Sequence, residues 1–78
     1  MPHYFFHLYN DLIVMDEEGR EFPDLEAAYA NAVKEAREVM LDTVAAGRIN
    51  LSHWIDIADD AGTVVATISF REAVAVVG

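Results

Sequence analysis

The chain has 78 residues, no cysteine and a formal charge of −9, from 14 acids against 5 bases. The missing basic patch excludes capture of nucleic acid or anionic membrane by phosphate neutralisation, and the missing cysteine excludes disulfides and thiolate metal sites. The length fits one domain over residues 1–78, burying only about 60 % of its unfolded surface, so a 54 % hydrophobic content without covalent staples points to a homodimer.

Residues 3–9, HYFFHLY, are aromatic and strand-like. Alternation puts Tyr4, Phe6 and Leu8 on one face and His3, Phe5, His7 and Tyr9 on the other. The first set is the less polar and is assigned to the core. Asn10-Asp11 signals a turn, and Leu12 to Asp16 reads as a second strand closing a hairpin. All four residues from Leu12 to Met15 are apolar, so its inner face stays ambiguous. Asp16-Glu17-Glu18-Gly19 is a turn with glycine free to take positive φ. Phe22, just ahead of the helix, is placed against its first turns.

The segment from Asp24 to about Ala46 is the helix around which the rest is organised. Pro23 sets its entry, Asp24 is a good N-cap, and Gly47 suits the left-handed position after the last turn. Leu25, Ala28, Tyr29, Ala32, Ala36, Val39, Met40 and Thr43 recur at spacings of three and four and trace one stripe. Many are alanine, so the helix can lie close on a sheet. Lys34 and Glu38 lie four apart on the outer surface and can pair.

After a short loop, in which Ile49 and Leu51 are placed under the helix end, residues 53–58 alternate with Ile55 and Ile57 inward and Trp54 and Asp56 outward. Asp59-Asp60-Ala61-Gly62 is a type I turn with a glycine bulge position. In Thr63 to Phe70, Val64, Ala66, Ile68 and Phe70 face the helix. Ser69 and Glu72 form a capping box that starts one helical turn through Ala73 and Val74, with an edge strand over Val74 to Val77 as the alternative.

The expected fold is α+β: β-β-α-β-β, a four-stranded antiparallel sheet of order 2-1-3-4 with one long helix on one face. Order 2-1-4-3 is the alternative. The open face would then show Phe5, His7, Tyr9, Trp54 and Val65, and these are the candidate interface residues. Aromatics in the middle of an open face call for a cover, and a second copy of the chain supplies one.

Three pieces of the chain carry a resemblance: MPHYFFHL at the start, DEEGREFPDLEAA across the turn into the helix, and DIADDAGTVVATISFREAV at the end. Together they resemble the small bacterial proteins grouped as domain of unknown function 6894, over nearly the whole chain. The family pattern more often has leucine at the position of Phe22. The resemblance implies a short stand-alone cytoplasmic protein, and it transfers no activity and no catalytic residue.

The residues themselves point the same way. His3 and His7 share a strand face about 13 Å apart and cannot hold one metal, and His53 falls on the other face. Asp16-Glu17-Glu18 and Asp59-Asp60 read as solvated turn carboxylates with ordinary acidity. Ser52 and His53 are adjacent and point apart. Tyr29 and Met40 read as core, and His7 as a half-buried polar residue among the aromatics of the open face. No apolar run is long enough to span a membrane. The N-terminus lacks a basic region followed by an apolar core, so the cytoplasm is the default.

No catalytic, cofactor or metal residue is therefore assigned. The expected function is a non-enzymatic, self-associating interaction module. The alternative is an acidic antitoxin-like or regulatory protein that binds a basic protein partner; its antitoxin likeness is fold analogy alone.

Overall fold

The computed structural model describes residues 2–10 and 12–75. The elements in order are β1 (His3–Tyr9), β2 (Ile13–Val14), β3 (Arg20–Glu21), α1 (Leu25–Ala45), β4 (Trp54–Ala58), β5 (Val64–Ser69) and α2 (Phe70–Ala73). The class is α+β, with an antiparallel sheet and one long helix over it.

The sheet has five strands, not four: the path β2-β1-β4-β5 runs through the four expected strands, and the additional β3 lies off this path, paired to β1. The second strand is shorter than Leu12 to Asp16, covering only Ile13–Val14. Its register, Leu8↔Val14 and Tyr9↔Ile13, uses one end of β1. Gly19 then takes φ +67° and sends the chain back along the other end, where His3 faces Glu21 and Tyr4 faces Arg20. The Phe22 amide extends this pairing to the Pro2 carbonyl at 3.1 Å. β1 is longer than β2 can cover, and β3 satisfies backbone groups that would otherwise be orphaned.

α1 begins and ends as its caps dictate. Asp24 accepts from the Ala27 amide at 2.8 Å, and Glu26 lies in the first turn. At the other end Gly47 donates to the Val44 carbonyl and Arg48 to the Thr43 carbonyl, while Gly47 holds φ +90°. These two bonds form a Schellman closure. Ala28, Ala32, Ala36 and Met40 are buried, with Val39 half-buried beside them. Leu25 and Tyr29 are each 37 % exposed, so the stripe is narrower than its apolar spacing suggests and Tyr29 is not core. The alanine line lets Tyr4, Phe6, Ile55, Ile57 and Ile68 pack directly beneath the helix. Phe22 closes one end, its ring 5.7 Å from Phe6 and 6.3 Å from Tyr4.

Leu51 packs against this core, whereas Ile49 is exposed. β4 alternates as expected, with Ile55 and Ile57 buried. A register shift between Ile57 and Ala58 opposes Ala66 to Ile57 but Val64 to Ala58. Val65 is the extra residue, and the bulge takes Val64 out of the alternation, leaving it exposed instead of facing the helix. Asp59 holds the preceding turn, accepting from the Ala61 and Thr63 amides.

At the end of β5 the Ser69 hydroxyl accepts from the Glu72 amide and the Glu72 carboxylate accepts from the Ser69 amide. This capping box starts α2, which stops at Ala73, with Phe70 and Ala73 in the core. Val74 and Ala75 form no strand, and the rest of the alternative edge strand lies outside the described residues. Arg37 ties α1 to this end by donating to the Ala73 carbonyl at 2.7 Å.

Candidate interaction surface

Cross-strand partners share a face of the sheet, so the register orders the side chains opposite α1 into rows. The first row is Ile13, Tyr9, Trp54 and Ser69, one from each strand of the path. The next is His7, Asp56 and Thr67, and the third carries Phe5 opposite Ala58. The expected assignment of Tyr4 and Phe6 to the core, and of Phe5, His7 and Tyr9 to the opposite face, matches the structure.

The rows are not equally open. Tyr9 and Trp54 stack with ring centroids 5.0 Å apart and planes within 9°, and Trp54 remains 39 % exposed. Such a stack presents a flat, rigid aromatic surface. Ile13 continues it onto β2, and Val65 is exposed further along β5. In the second row Thr67 donates to Asp56 at 2.8 Å, which occupies that carboxylate. The third row is roofed by the chain itself. Gly19 lies so close over Phe5 and His3 that a Cβ there would sit 2.8 Å and 2.9 Å from their rings. Phe5 and His7 are thus engaged within the chain, whereas Trp54 and Val65 keep open surface.

Asp16 holds that roof in place. One carboxylate oxygen accepts from the Phe6 amide at 3.1 Å, in the gap between the β2 and β3 pairings. The other accepts from the amides of Glu18 and Gly19. Its own amide donates to His7 Nδ1 at 3.0 Å, which fixes that nitrogen as the acceptor. Asp16 is therefore a structural knot and not the ordinary solvated carboxylate expected of a turn. Burial pushes its pKa up, but hydrogen bonds from the Gly19, Phe6 and Glu18 amides outweigh burial and leave it below the usual carboxylate range. The readable signal was an aspartate at the head of a turn, whose carboxylate can accept from the amide two residues on, here Glu18.

A carboxyl lowered in the fold contributes stability that is present above its ordinary value, near 3.8, and is lost as pH falls through the folded value. Urea midpoints taken at about pH 5 and about pH 2.5 should therefore fall further for the wild type than for Asp16→Asn, which carries no titrating group there. Equal falls would deny Asp16 this role.

The β2 edge is the other unusual surface. Leu12, Ile13, Val14 and Met15 are 74, 66, 52 and 53 % exposed, and β2 ends the strand path. An exposed apolar strand with an unpaired outer edge is a template for another strand. Sequence alternation could not mark it, because every residue in the run is apolar. The register now places Val14 with Leu8 on the helix side and Ile13 with Tyr9 on the open side.

The histidines do not converge. His3 lies 3.9 Å from Glu21, His7 holds the Asp16 amide, and the His53 ring meets Phe70 edge-on at 5.7 Å. Among the described residues no three His, Asp or Glu side chains are grouped to hold a metal. Ser52 donates to Asn50, not to His53. No described helix is long and apolar enough to cross a membrane. A family model described as Domain of unknown function (DUF6894) matches residues 3–71. The comparison with curated proteins gives no match, and neither does the comparison with solved structures.

Proposed function

We propose that this chain, which belongs to the family described as Domain of unknown function (DUF6894), is a non-enzymatic interaction module of the cytoplasm that associates with a second copy of itself through its sheet. The observation that carries this reading is the uncharged row Ile13–Tyr9–Trp54 running into the exposed edge Leu12–Met15. Two chains of charge −9 repel one another. They can approach closely only where carboxylates are few, and the row Ile13–Tyr9–Trp54–Ser69 contains none. Two β2 edges related by a two-fold axis would run antiparallel, and the stacked Tyr9 and Trp54 rings would flank the seam.

Light scattering on the full chain at micromolar concentration should give the mass of a dimer. Ile13→Lys sets a cation on each side of the seam and should give a monomer with unchanged far-ultraviolet dichroism. Trp54→Ala should weaken the dimer by about tenfold or more in Kd, in the range of an aromatic hot spot. A monomeric wild type at that concentration would sink the reading.

A second reading, an acidic regulator that binds a basic protein, is favoured by a separate feature on the helix side of the sheet.

A further inference from the structure

A groove runs between α1 and the outer border of β1, on the face away from Trp54. It consists of two hollows of about 550 and 340 Å³ that share Phe6 and Glu35. Phe6 and Ile55 form the floor of the smaller one, with half-buried Leu8 and Val39 as walls. Its rim on α1 is Glu35, Glu38 and Asp42, spaced three and four apart and so aligned on one helical face. Across the larger hollow the rim continues with Glu17 and Glu18. Arg20 pairs with Glu35 and stacks over Phe6 and Phe22, and Lys34 reaches Glu38 at 4.0 Å. Among the described residues, Glu17, Glu18 and Asp42 pair with no cation.

We propose that this groove takes a segment of a basic partner protein in which lysine or arginine side chains stand beside aliphatic ones. The inference rests on the second reading above and gives it a site. The aliphatic side chains would enter against Phe6, Leu8 and Val39, and the cations would meet Asp42, Glu38 and the Glu17–Glu18 turn. These carboxylates are exposed, so each such pair adds a modest attraction that salt screens.

Charge decides against a second copy as the occupant. That copy brings 14 acids and only 5 bases, of which Arg20, Lys34 and Arg37 are already engaged in their own chain. A strongly basic segment with no aliphatic residues is disfavoured too, because it would leave the walls in water.

The test is fluorescence anisotropy with a short labelled peptide of alternating leucine and lysine, titrated with the full chain. A leucine–glutamate peptide of the same length and oligolysine serve as controls. The leucine–lysine peptide should bind, and its Kd should rise by about tenfold when salt is raised from low to physiological. Asp42→Lys and Glu38→Lys, both at exposed positions, should each weaken it by about tenfold, and Val39→Ser should weaken it with the charge untouched. Trp54→Ala should bind as wild type, because Trp54 lies on the opposite face. That result keeps the outcome separate from the fate of the self-association reading. No binding of the leucine–lysine peptide, equal binding of oligolysine, or undiminished binding by Asp42→Lys would overturn the proposal. Failure to bind oligolysine alone supports it. If every basic probe fails while intact basic proteins still bind Trp54→Ala, the second reading stands and the groove does not.

Discussion

Ala36→Leu should lose about 2–3 kcal/mol of stability, read as a fall in the urea midpoint, while Ala30→Leu on the exposed side of the same helix changes little. Alanine and leucine have nearly equal helix propensity, so the difference isolates packing. Ala36 is fully buried in the line Ala28, Ala32, Ala36, Met40 that rests on Phe6, Ile55, Ile57 and Ile68. A leucine there has no room beside the aromatic and branched side chains of β1 and β4, so it would have to lift α1 from the sheet. A chain of this length has a total margin of about 4–12 kcal/mol, so the loss would be a large part of it. Equal midpoints for the two variants would show that α1 does not sit tightly on the sheet.

Gly19→Ala is expected to be costlier than Gly47→Ala although both glycines have positive φ. At Gly47 nothing lies within 4 Å of the added Cβ, so the variant suffers the left-handed backbone alone, about 1–2 kcal/mol. At Gly19 the same backbone term applies at φ +67°, and the Cβ also meets the Phe5 and His3 rings at 2.8 and 2.9 Å. Displacing two rings from the roof should add about 1–3 kcal/mol, the usual range for overpacking. His3→Ala in the Gly19→Ala background should recover part of that addition, since it removes one of the two rings. Thermal or urea unfolding of the four proteins checks this. Equal losses at Gly19 and Gly47 would mean that the turn does not lie on β1.

Much of the architecture was readable because local and global signals agree. Pro23, Asp24 and Gly47 bracket α1 by the chemistry of helix ends, and the structure caps the helix with Asp24 and closes it at Gly47. Strict alternation in HYFFHLY and HWIDIA assigned the two faces of β1 and β4, and Ser69 with Glu72 spelled out α2. Signals were absent where a side chain or one extra residue decides the path. β3 is two charged residues long and has no apolar period to read. The bulge at Val65 redirects Val64, and the apolar run Val64-Val65-Ala66 does not say which residue is the extra one. Leu25 and Tyr29 have the spacing of core residues but are exposed, so spacing alone overstates the buried stripe.

The candidate surface was legible in part for the same reason. Phe5, His7, Tyr9, Trp54 and Val65 are indeed opposite the helix or on β5 next to that face, as alternation requires. It could not reveal that the Asp16–Gly19 turn folds back over Phe5, because that contact depends on one carboxylate reaching the Phe6 amide. Nor could it single out Ile13, whose face is set by its register with Tyr9. The groove was hidden for a related reason: Glu35, Glu38 and Asp42 read as a solvated helix flank until the core side chains beside them are known.

The central strand is hydrogen-bonded to β4 on one border, and all of α1 lies between the two in the chain. During translation the aromatic strand therefore leaves the ribosome well before the strand that completes it. β2 and β3 can settle on its other border early, since short loops connect them to it, while the border meant for Trp54–Ala58 waits. A nascent chain of this design spends the time needed to make twenty-one helical residues with a half-built sheet. Such late, long-range closure slows folding relative to a helical protein of equal size. It also makes the early hairpin, with its Asp16 clasp, the part that guards the aromatic strand against the wrong neighbours.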